Sequence, residues 1–383
     1  MSDIESSSLA DSFPGSVPPR ALRVLVSPLD WGLGHATRVI PLIRALLDEG
    51  CEVTLAASDA SKSLLQAEFP DLAVLDVPGY RIEYPQKGSQ FFGKIALQLP
   101  RILWAMLREH LWLRAAMRAH RWDVVLSDNR YGLFHARARS VILTHQVRIR
   151  TGRRMADALL RPLLRGMLAR FDAVWVPDMP GEPNLAGDLC HGRMPAHASH
   201  IGPLSRFTSI GTPGTTRLLV LLSGPEPQRT IFESILRREL ATFAGDVVVV
   251  RGLPGSDHRH TDGNGVEWID HLPARQLGEL VSGAGLVISR SGYSTVMDLV
   301  RMGRPAVLVP TPGQGEQEYL ARHLSVTGLF PYLSQATFTL SEALRLAEAN
   351  RTPAEGFDFD GHRGQLREML EHIRGKKGGN HVG

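Results

Sequence analysis

The sequence predicts an α/β protein with two doubly wound domains, each built on a parallel sheet. Short apolar runs bounded by glycine and proline recur along the chain, and such runs suit strands that are covered on both faces. Two similar openings, RVLVSPLDWGLGH from Arg23 and RLLVLLSGPEPQRT from Arg217, begin the two halves. The chain has 383 residues, which is enough for two hydrophobic cores.

Shifts in composition give the expected domain boundaries. Residues 201–215 are rich in Gly, Pro, Ser and Thr, as interdomain linkers often are. The first 20 residues contain Ser, Asp, Pro and Gly and lack an apolar segment to bury. We therefore expect a disordered tail over 1–20, a first domain over 21–203, a linker over 204–216, a second domain over 217–375 and a loose tail over 376–383.

Composition narrows the classes of partner. The net charge of +4 suits anionic substrates or an anionic membrane surface, and it is too small to indicate nucleic acid. The two cysteines, Cys51 and Cys190, lie far apart, as is typical of a reducing compartment. There is no signal peptide pattern and no CxxC or HExxH spacing. We expect a cytoplasmic protein without a protein-bound metal or cofactor.

The first candidate site follows the first strand, Leu22–Ser27. The loop Pro28–Arg38 has the pattern GxGHxxR, and we expect a helix from about Val39 to Asp48. Glycines in such a loop allow the backbone to approach a ligand. His35 should then face the cleft beside the helix start, although a helix-capping or packing role is the alternative.

Polar residues also end two later strands of the first half. Asp128 closes Asp123–Asp128, where it is expected either to orient His35 or to cap a turn. His145 and Gln146 end the strand that begins at Val141. They are expected either to line the acceptor side of the cleft or to satisfy backbone groups at the strand end, and we favour the latter.

The second half contains two buried-strand runs, Gly285–Ser289 and Pro305–Pro310, each followed by a polar loop. The loops are Arg290–Thr295 and Thr311–Glu318. A strand, small polar residues and then a helix present backbone N–H groups to an anion. Because ligands bind beyond the carboxyl ends of strands in open α/β sheets, both loops should line one pocket.

These motifs resemble the GT-B glycosyltransferases, most closely the MurG type, which transfers N-acetylglucosamine from UDP. The resemblance covers roughly residues 218–330 and rests on R-S-G-x-x-T, a following acid, strand-Pro, and an acid before glutamine. Asp298 stands where the family has a glutamate that holds the ribose, and Glu318 replaces the second glutamine of a pair. By this resemblance the donor-binding residues are Ser223, Gly224, Ile269, Arg290, Ser291, Gly292, Thr295, Asp298, Glu316 and Gln317.

The resemblance implies a metal-independent, inverting transfer of sugar from a nucleotide-diphosphate donor, such as UDP-N-acetylglucosamine, to an unknown hydroxyl acceptor. His35 would be the base, Asp128 would orient it, and Gly32, Gly34 and Arg38 would form an acceptor or phosphate loop. UDP-sugar hydrolases share the GxGHxxR loop, so hydrolysis is the first alternative. A nucleotide-sugar-binding protein without turnover is the second.

The segment 91–121 is apolar on many sides and also carries arginines. It is expected to form a helix, which Pro100 should start or kink. One interpretation is a peripheral contact with the inner face of an anionic membrane, suited to a lipid-linked acceptor. The alternative, which we favour, is a long helix packed on its own sheet.

Overall fold

The computed structural model describes residues 20–80, 91–148, 154–192, 194–207, 218–224, 226–253, 255–349 and 355–379. Strands within these ranges form two sheets, and helices separate most of the successive strands. The predicted α/β architecture with two doubly wound sheets is therefore confirmed. The expected tail over 1–20 lies outside the described residues except for Arg20, and the expected linker lies outside them from 208 onwards.

The first sheet has seven strands among the described residues, in the order β3-β2-β1-β4-β5-β6-β7. All neighbouring pairs are parallel. The strands are β1 (Arg23–Pro28), β2 (Glu52–Ala57), β3 (Val74–Asp76), β4 (Val124–Asp128), β5 (Arg139–Leu143), β6 (Ala173–Val176) and β7 (Ala198–His200). Its helices are α1 (Leu33–Asp48), α2 (Asp59–Glu68), α3 (Phe91–His120) and α4 (Arg154–Leu168).

The second sheet has six strands among the described residues, in the order β10-β11-β9-β8-β12-β13, and only the β10–β11 pair is antiparallel. The strands are β8 (Leu218–Leu221), β9 (Val247–Val250), β10 (Arg259–Thr261), β11 (Glu267–Ile269), β12 (Leu286–Ser289) and β13 (Ala306–Leu308). The helices are α5 (Gln228–Leu240), α6 (Ala274–Gly283), α7 (Tyr293–Met302), α8 (Gly315–Val326), α9 (Leu340–Ala349) and α10 (Gly361–Gly379).

Helix α1 begins at Leu33, six residues before the predicted start at Val39. The glycines and polar residues of the loop suggested irregular backbone, but Gly34 and His35 belong to the first helical turn. Gly32, at φ 87°, makes the entry into the helix. A side chain at position 34 would bring its Cβ to 3.1 Å from Ser294 Oγ, so the close contact with α7 favours glycine there.

A continuous apolar core joins the two sheets. It includes Ile40 and Ile43 of α1 together with Val296 and Val300 of α7, all fully buried. Burying one such side chain contributes roughly 1.5–3 kcal/mol. Because α1 follows β1 and α7 follows β12, this packing brings the loop of each sheet close to that of the other.

Helix α10 crosses back to the first half of the chain. Arg363 Nη1 lies 2.9 Å from Asp48 Oδ2, and Arg367 Nε lies 3.0 Å from Glu49 Oε1. The helix continues through Gly379, so the first four residues of the segment expected to be loose, 376–379, are helical.

Candidate active site

The strand order places one candidate site between β1 and β4. Strands β2 and β3 lie on one side of β1, and β4 to β7 lie on the other, so the order reverses at this point. Ligands of doubly wound sheets bind at the carboxyl ends of the strands beside such a reversal. Asp128, the last residue of β4, pairs with Pro28, the last of β1, and His35 lies in the first turn of the helix that follows β1.

His35 and Asp128 are in contact at this edge. His35 Nδ1 lies 3.1 Å from Asp128 Oδ2. The Asp128 side chain is fully buried, whereas 14% of the His35 side chain is exposed. Among the described residues, Nε2 of His35 has no hydrogen-bond partner. The ring is therefore fixed on one side and accessible on the other, which is the arrangement that a general base requires.

Arg38 lies beside both residues. Its Nε donates to Asp128 Oδ2 at 2.7 Å, its Nη2 contacts Oδ1, and Nη2 also lies 2.9 Å from His35 Nδ1. The sequence placed Arg38 in an acceptor or phosphate loop, but its side chain is only 2% exposed. Arg38 therefore contacts the His35–Asp128 pair from its buried side and is not exposed to a ligand. Its position one turn after His35 on α1 explains the contact.

The charges set the protonation of the pair. Burial alone would raise the pKa of Asp128, but the charge of Arg38 and the contact with His35 lower it to about 2. Burial lowers the pKa of His35, and the charge of Arg38 lowers it further against the opposing effect of Asp128. At neutral pH the carboxylate is charged and the imidazole is neutral, so a proton on Nδ1 can bind Asp128 and leave the lone pair on Nε2.

The second sheet presents a similar edge between β8 and β12, where its order also reverses. Ser223 and Gly224 follow β8, and Ser291, Gly292 and Thr295 lie at or near the start of α7 after β12. Gly292 is the N-cap of α7 and provides no side-chain hydrogen bond, so the first N–H groups of the helix are available to an anion.

Helix α8 completes this edge. Ser291 Oγ donates to the carbonyl of Gln317 at 2.8 Å, and Gln317 Oε1 accepts from the N–H of Thr311 at 2.9 Å. Gly224, at φ 100°, lies opposite the Thr311 hydroxyl, to which a Cβ would come within 3.5 Å. Thr311 Oγ1 is buried without a partner among the described residues, and sequence reasoning did not select it. A hydroxyl that follows a buried strand was the available signal.

The Arg290 side chain lies inside the domain, although it was expected to contact the leaving diphosphate. Its side chain is almost completely buried, and its two terminal nitrogens bond the carbonyls of Val309, Pro310 and Gln228 and the side chain of Gln335. Burial lowers its pKa to about 10, so it remains charged at neutral pH. The guanidinium holds the loops together behind the pocket.

Asp298, which was expected to hold a ribose, also has a protein partner at each of its carboxylate oxygens. Ser205 Oγ donates to Oδ1 at 2.7 Å, and Arg206 Nε donates to Oδ2 at 3.0 Å. Both partners follow β7, so Asp298 fastens the connection between the halves. Aspartate is one methylene shorter than the family glutamate, which keeps the carboxylate close to its own helix.

Ile269 was expected to present its backbone to the base of the nucleotide. Its carbonyl accepts from the N–H of Arg251 at 2.7 Å, and β11 pairs with strands on both sides. This carbonyl is therefore already used by the sheet.

The two edges touch. Ser294 Oγ of α7 donates to the carbonyl of Gly34 at 2.7 Å. His145 Nε2, after β5, lies 2.8 Å from Glu316 Oε1 of α8, and Gln146 Nε2 contacts the other carboxylate oxygen. The favoured interpretation of His145 and Gln146 as caps of the strand end is therefore wrong for their side chains. Glu316, expected to bind the donor, bridges to the first sheet instead.

Known glycosyltransferases are similar to this chain in sequence. Residues 239–355 match the glycosyltransferase family 28 C-terminal domain. A Haemophilus ducreyi protein is 25% identical over 329 residues, which cover 82% of this chain and 86% of the relative. It is a UDP-N-acetylglucosamine--N-acetylmuramyl-(pentapeptide) pyrophosphoryl-undecaprenol N-acetylglucosamine transferase. The chain is a glycosyltransferase that resembles the MurG type.

Solved structures share its fold. The glycotransferase of kitacinnamycin has a TM-score of 0.60 at 18% identity, and the match covers 93% of this chain and 96% of the other. MurG of Acinetobacter baumannii has a TM-score of 0.52 at 13% identity, with 92% and 94% covered. The predicted GT-B fold is thereby confirmed for this glycosyltransferase. None of the helices in the described ranges is long and apolar enough to cross a membrane.

Proposed function

We propose that this glycosyltransferase moves a sugar from a UDP-sugar, such as UDP-N-acetylglucosamine, to a hydroxyl of a lipid-linked acceptor. The relatives named above support this donor and acceptor class. The observation that carries the proposal is the buried Asp128 carboxylate 3.1 Å from His35, whose other ring nitrogen remains accessible at the edge between the sheets.

His35 acts as the general base in this proposal. Its Nε2 takes the proton from the acceptor hydroxyl while that oxygen attacks the anomeric carbon of the donor. The bond between this carbon and the diphosphate oxygen breaks, and UDP leaves with the electron pair. Attack from the side opposite the leaving group inverts the configuration. Asp128 stabilises the imidazolium that forms, and a positioned base of this kind contributes about 10²–10⁴-fold in rate.

Helix N-termini stabilise the charge on the departing UDP. Helices α5, α7 and α8 all begin at the carboxyl edge of the second sheet, directly after β8, β12 and β13. Each helix start carries about half a positive charge and unpaired N–H groups. This arrangement supports transfer without a metal ion. Because Arg290 bonds carbonyl groups inside the domain, we assign it no direct contact with the diphosphate.

Helix α3 supports a lipid-linked acceptor. An exposed apolar stripe at a spacing of four residues, with Trp104 beside it, consists of Leu99, Leu103, Leu107 and Leu111. Arg108 and Arg114 are exposed on the same helix. An apolar stripe with flanking basic groups suits the surface of an anionic membrane.

Helix α3 is also tied to the candidate site. Arg130, two residues after Asp128, pairs with Glu109 of α3 at 2.5 Å, and both side chains are fully buried. Arg130 Nε also donates to the carbonyl of Pro28 at 2.7 Å, at the end of β1. A membrane that contacts α3 would therefore lie next to the edge where the hydroxyl must arrive.

The test measures UDP release from UDP-N-acetylglucosamine with and without lipid extract, together with mass spectrometry of the lipid products. The proposal expects release that depends on the extract and a product that gains the mass of one sugar residue. Release without acceptor would identify a UDP-sugar hydrolase. UDP-sugar binding without release in either condition would identify a binding protein. NMR of the product reports inversion, and full activity after dialysis against EDTA is expected.

A further inference from the structure

A chain of hydrogen bonds connects Asp128 to the other half of the molecule. Arg38 Nε lies 2.7 Å from Asp128 Oδ2, and Arg38 Nη1 lies 2.7 Å from His145 Nδ1. His145 Nε2 lies 2.8 Å from Glu316 Oε1. Asp128 ends β4 and His145 follows β5 of the first sheet, whereas Glu316 lies in the first turn of α8, beside the second sheet. The chain thus crosses between the two halves.

The donors and acceptors determine the protons along this chain. A guanidinium only donates, so Nδ1 of His145 must accept from Arg38 and carries no proton. The proton of the neutral ring is then on Nε2, where it faces the Glu316 carboxylate, which accepts. At the other end Arg38 donates to Asp128, and Asp128 accepts from His35. Each contact from Asp128 to Glu316 pairs one donor with one acceptor. Arg38 Nη2, which also lies 2.9 Å from His35 Nδ1, donates to Asp128 Oδ1 when that ring nitrogen carries a proton.

The side chains around His145 hold it in this orientation. Its ring stacks on Tyr293 of α7 at 4.8 Å with an angle of 10° between the planes. The Tyr293 hydroxyl donates to the carbonyl of Pro177 at 2.6 Å, which fixes the tyrosine in turn. Gln146 contacts the second oxygen of Glu316. His145 is 4% exposed, so rotation of its ring would leave buried polar atoms unpaired.

We propose that His145 and Glu316 are positioning residues that hold Arg38, and through it the Asp128–His35 pair, from the opposite half of the molecule. This inference rests on the proposed function of His35 as the base. It goes further because it makes the base depend on a residue of the donor-side half. The pair is fully supported only when the two sheets stand as they do in this structure.

A double-mutant cycle tests this coupling. Glu316→Gln removes the charge at the end of the chain, and Asp128→Asn removes the carboxylate that Arg38 holds. We expect Glu316→Gln to lower kcat about three- to tenfold with little change in the donor KM. In the Asp128→Asn background the same change should have almost no effect, because residues that act as a unit give non-additive losses.

The matched control is Glu49→Gln. Glu49 also makes an ion pair between the halves, with Arg367 of α10, but it has no contact with the chain from Asp128 to Glu316. Its effect on kcat should be small and equal in both backgrounds. A Glu316→Gln loss that is also equal in both backgrounds would overturn the proposal. So would a loss confined to the donor KM, which would make Glu316 a donor contact.

NMR titration of His35 gives a second readout that does not need turnover. We expect Glu316→Gln to lower the pKa of His35, because a nearby negative charge that favours the imidazolium is lost. Glu49→Gln should leave it unchanged. An unchanged His35 pKa in Glu316→Gln would contradict the coupling even if transfer is established. A shifted pKa in a protein that transfers no sugar would instead preserve the coupling and contradict the proposed function.

Discussion

Asp128→Asn is the substitution with the clearest expected consequences. Asparagine keeps the size of the side chain and removes its charge. Asp128 is fully buried and holds Arg38 on one side and His35 on the other. Both neighbours depend on the carboxylate, Arg38 for its counter-charge and His35 for its orientation. The substitution should therefore affect stability and turnover together, through different neighbours.

The stability cost can be bounded from the structure. The pKa of Asp128 is lowered from 3.8 to about 2, which corresponds to a stabilisation on the order of 2–3 kcal/mol. This contribution is fully present above pH 3.8 and is lost as the pH falls through 2. Removal of one partner of a buried ion pair costs more, about 3–5 kcal/mol, because Arg38 cannot lose its charge. We expect a loss nearer the larger figure at neutral pH.

The loss of turnover has a separate cause. Without the carboxylate, the Nδ1–H tautomer of His35 loses its acceptor, and Arg38 can donate to Nδ1 instead. The proton then moves to Nε2, where it blocks the base. We expect kcat to fall about 10²–10⁴-fold, and His35→Ala to fall by a similar factor. The double variant should be little worse than either single variant.

The assays are urea unfolding, steady-state UDP release and calorimetry of UDP binding. Asp178→Asn is the control, because Asp178 is also buried but its carboxylate accepts, within the described ranges, only from the backbone N–H groups of Met179, Leu185 and Ala186. It should lose stability and keep its kcat. UDP affinity should stay constant in every variant, since the proposed donor site is on the second sheet. Near wild-type kcat in folded Asp128→Asn would refute the assignment of the pair.

Three further outcomes are expected. Asp298→Ala should lower the free energy of unfolding by about 1.5–3 kcal/mol through loss of its charged hydrogen bonds and leave the calorimetric UDP affinity unchanged; a tenfold weaker affinity would restore its ribose role. Arg290→Met should likewise destabilise the protein in urea without weakening UDP binding, because the guanidinium bonds carbonyls inside the domain. Leu103→Ser with Leu107→Ser should reduce co-sedimentation with anionic vesicles, as should added salt, and background binding of the wild type at low salt would refute the membrane contact.

The positions of His35 and Asp128 could be predicted because they depend on topology alone. Both follow short buried strands, and the carboxyl ends of parallel strands meet at one edge. The strands themselves were visible as apolar runs between glycines and prolines. The start of α1 could not be predicted from the sequence, because Gly34 makes a contact with Ser294, which lies 260 residues away in the chain. A glycine required by a distant neighbour looks the same in the sequence as a glycine in a loop.

The roles of the arginines could not be predicted. Arg38 and Arg290 occur in motifs that suggest anion binding, yet both side chains are buried against protein acceptors. An arginine can reach a ligand or turn back to carbonyls with the same sequence around it. The partner of His145 was equally hidden, since Glu316 lies 171 residues further along the chain. Such pairs depend on how the two halves of the molecule pack against each other, and the local sequence pattern carries no information about that packing.

Helix α3 shows how the same limit affects the assignment of helix faces. Its inner face carries Ala105, Leu113 and Met117 together with the charged Glu109, and all four are buried. Burial raises the pKa of Glu109 to about 7, against the opposing effects of the Arg130 charge and of hydrogen bonds from Tyr80 and Gly132. Hydrophobicity alone would turn Glu109 to solvent and the leucine stripe inward.

The arrangement is reversed because Arg130 gives Glu109 a buried counter-charge beside the candidate site. Arg130 also bonds the carbonyls of Pro28 and Pro78, so the pair joins α3 to the ends of the strands. The four leucines are exposed when only the described part of the chain is considered. Residues 91–121 thus combine features of both alternatives: one stripe of α3 is buried, and the other is exposed, as the proposed membrane contact requires.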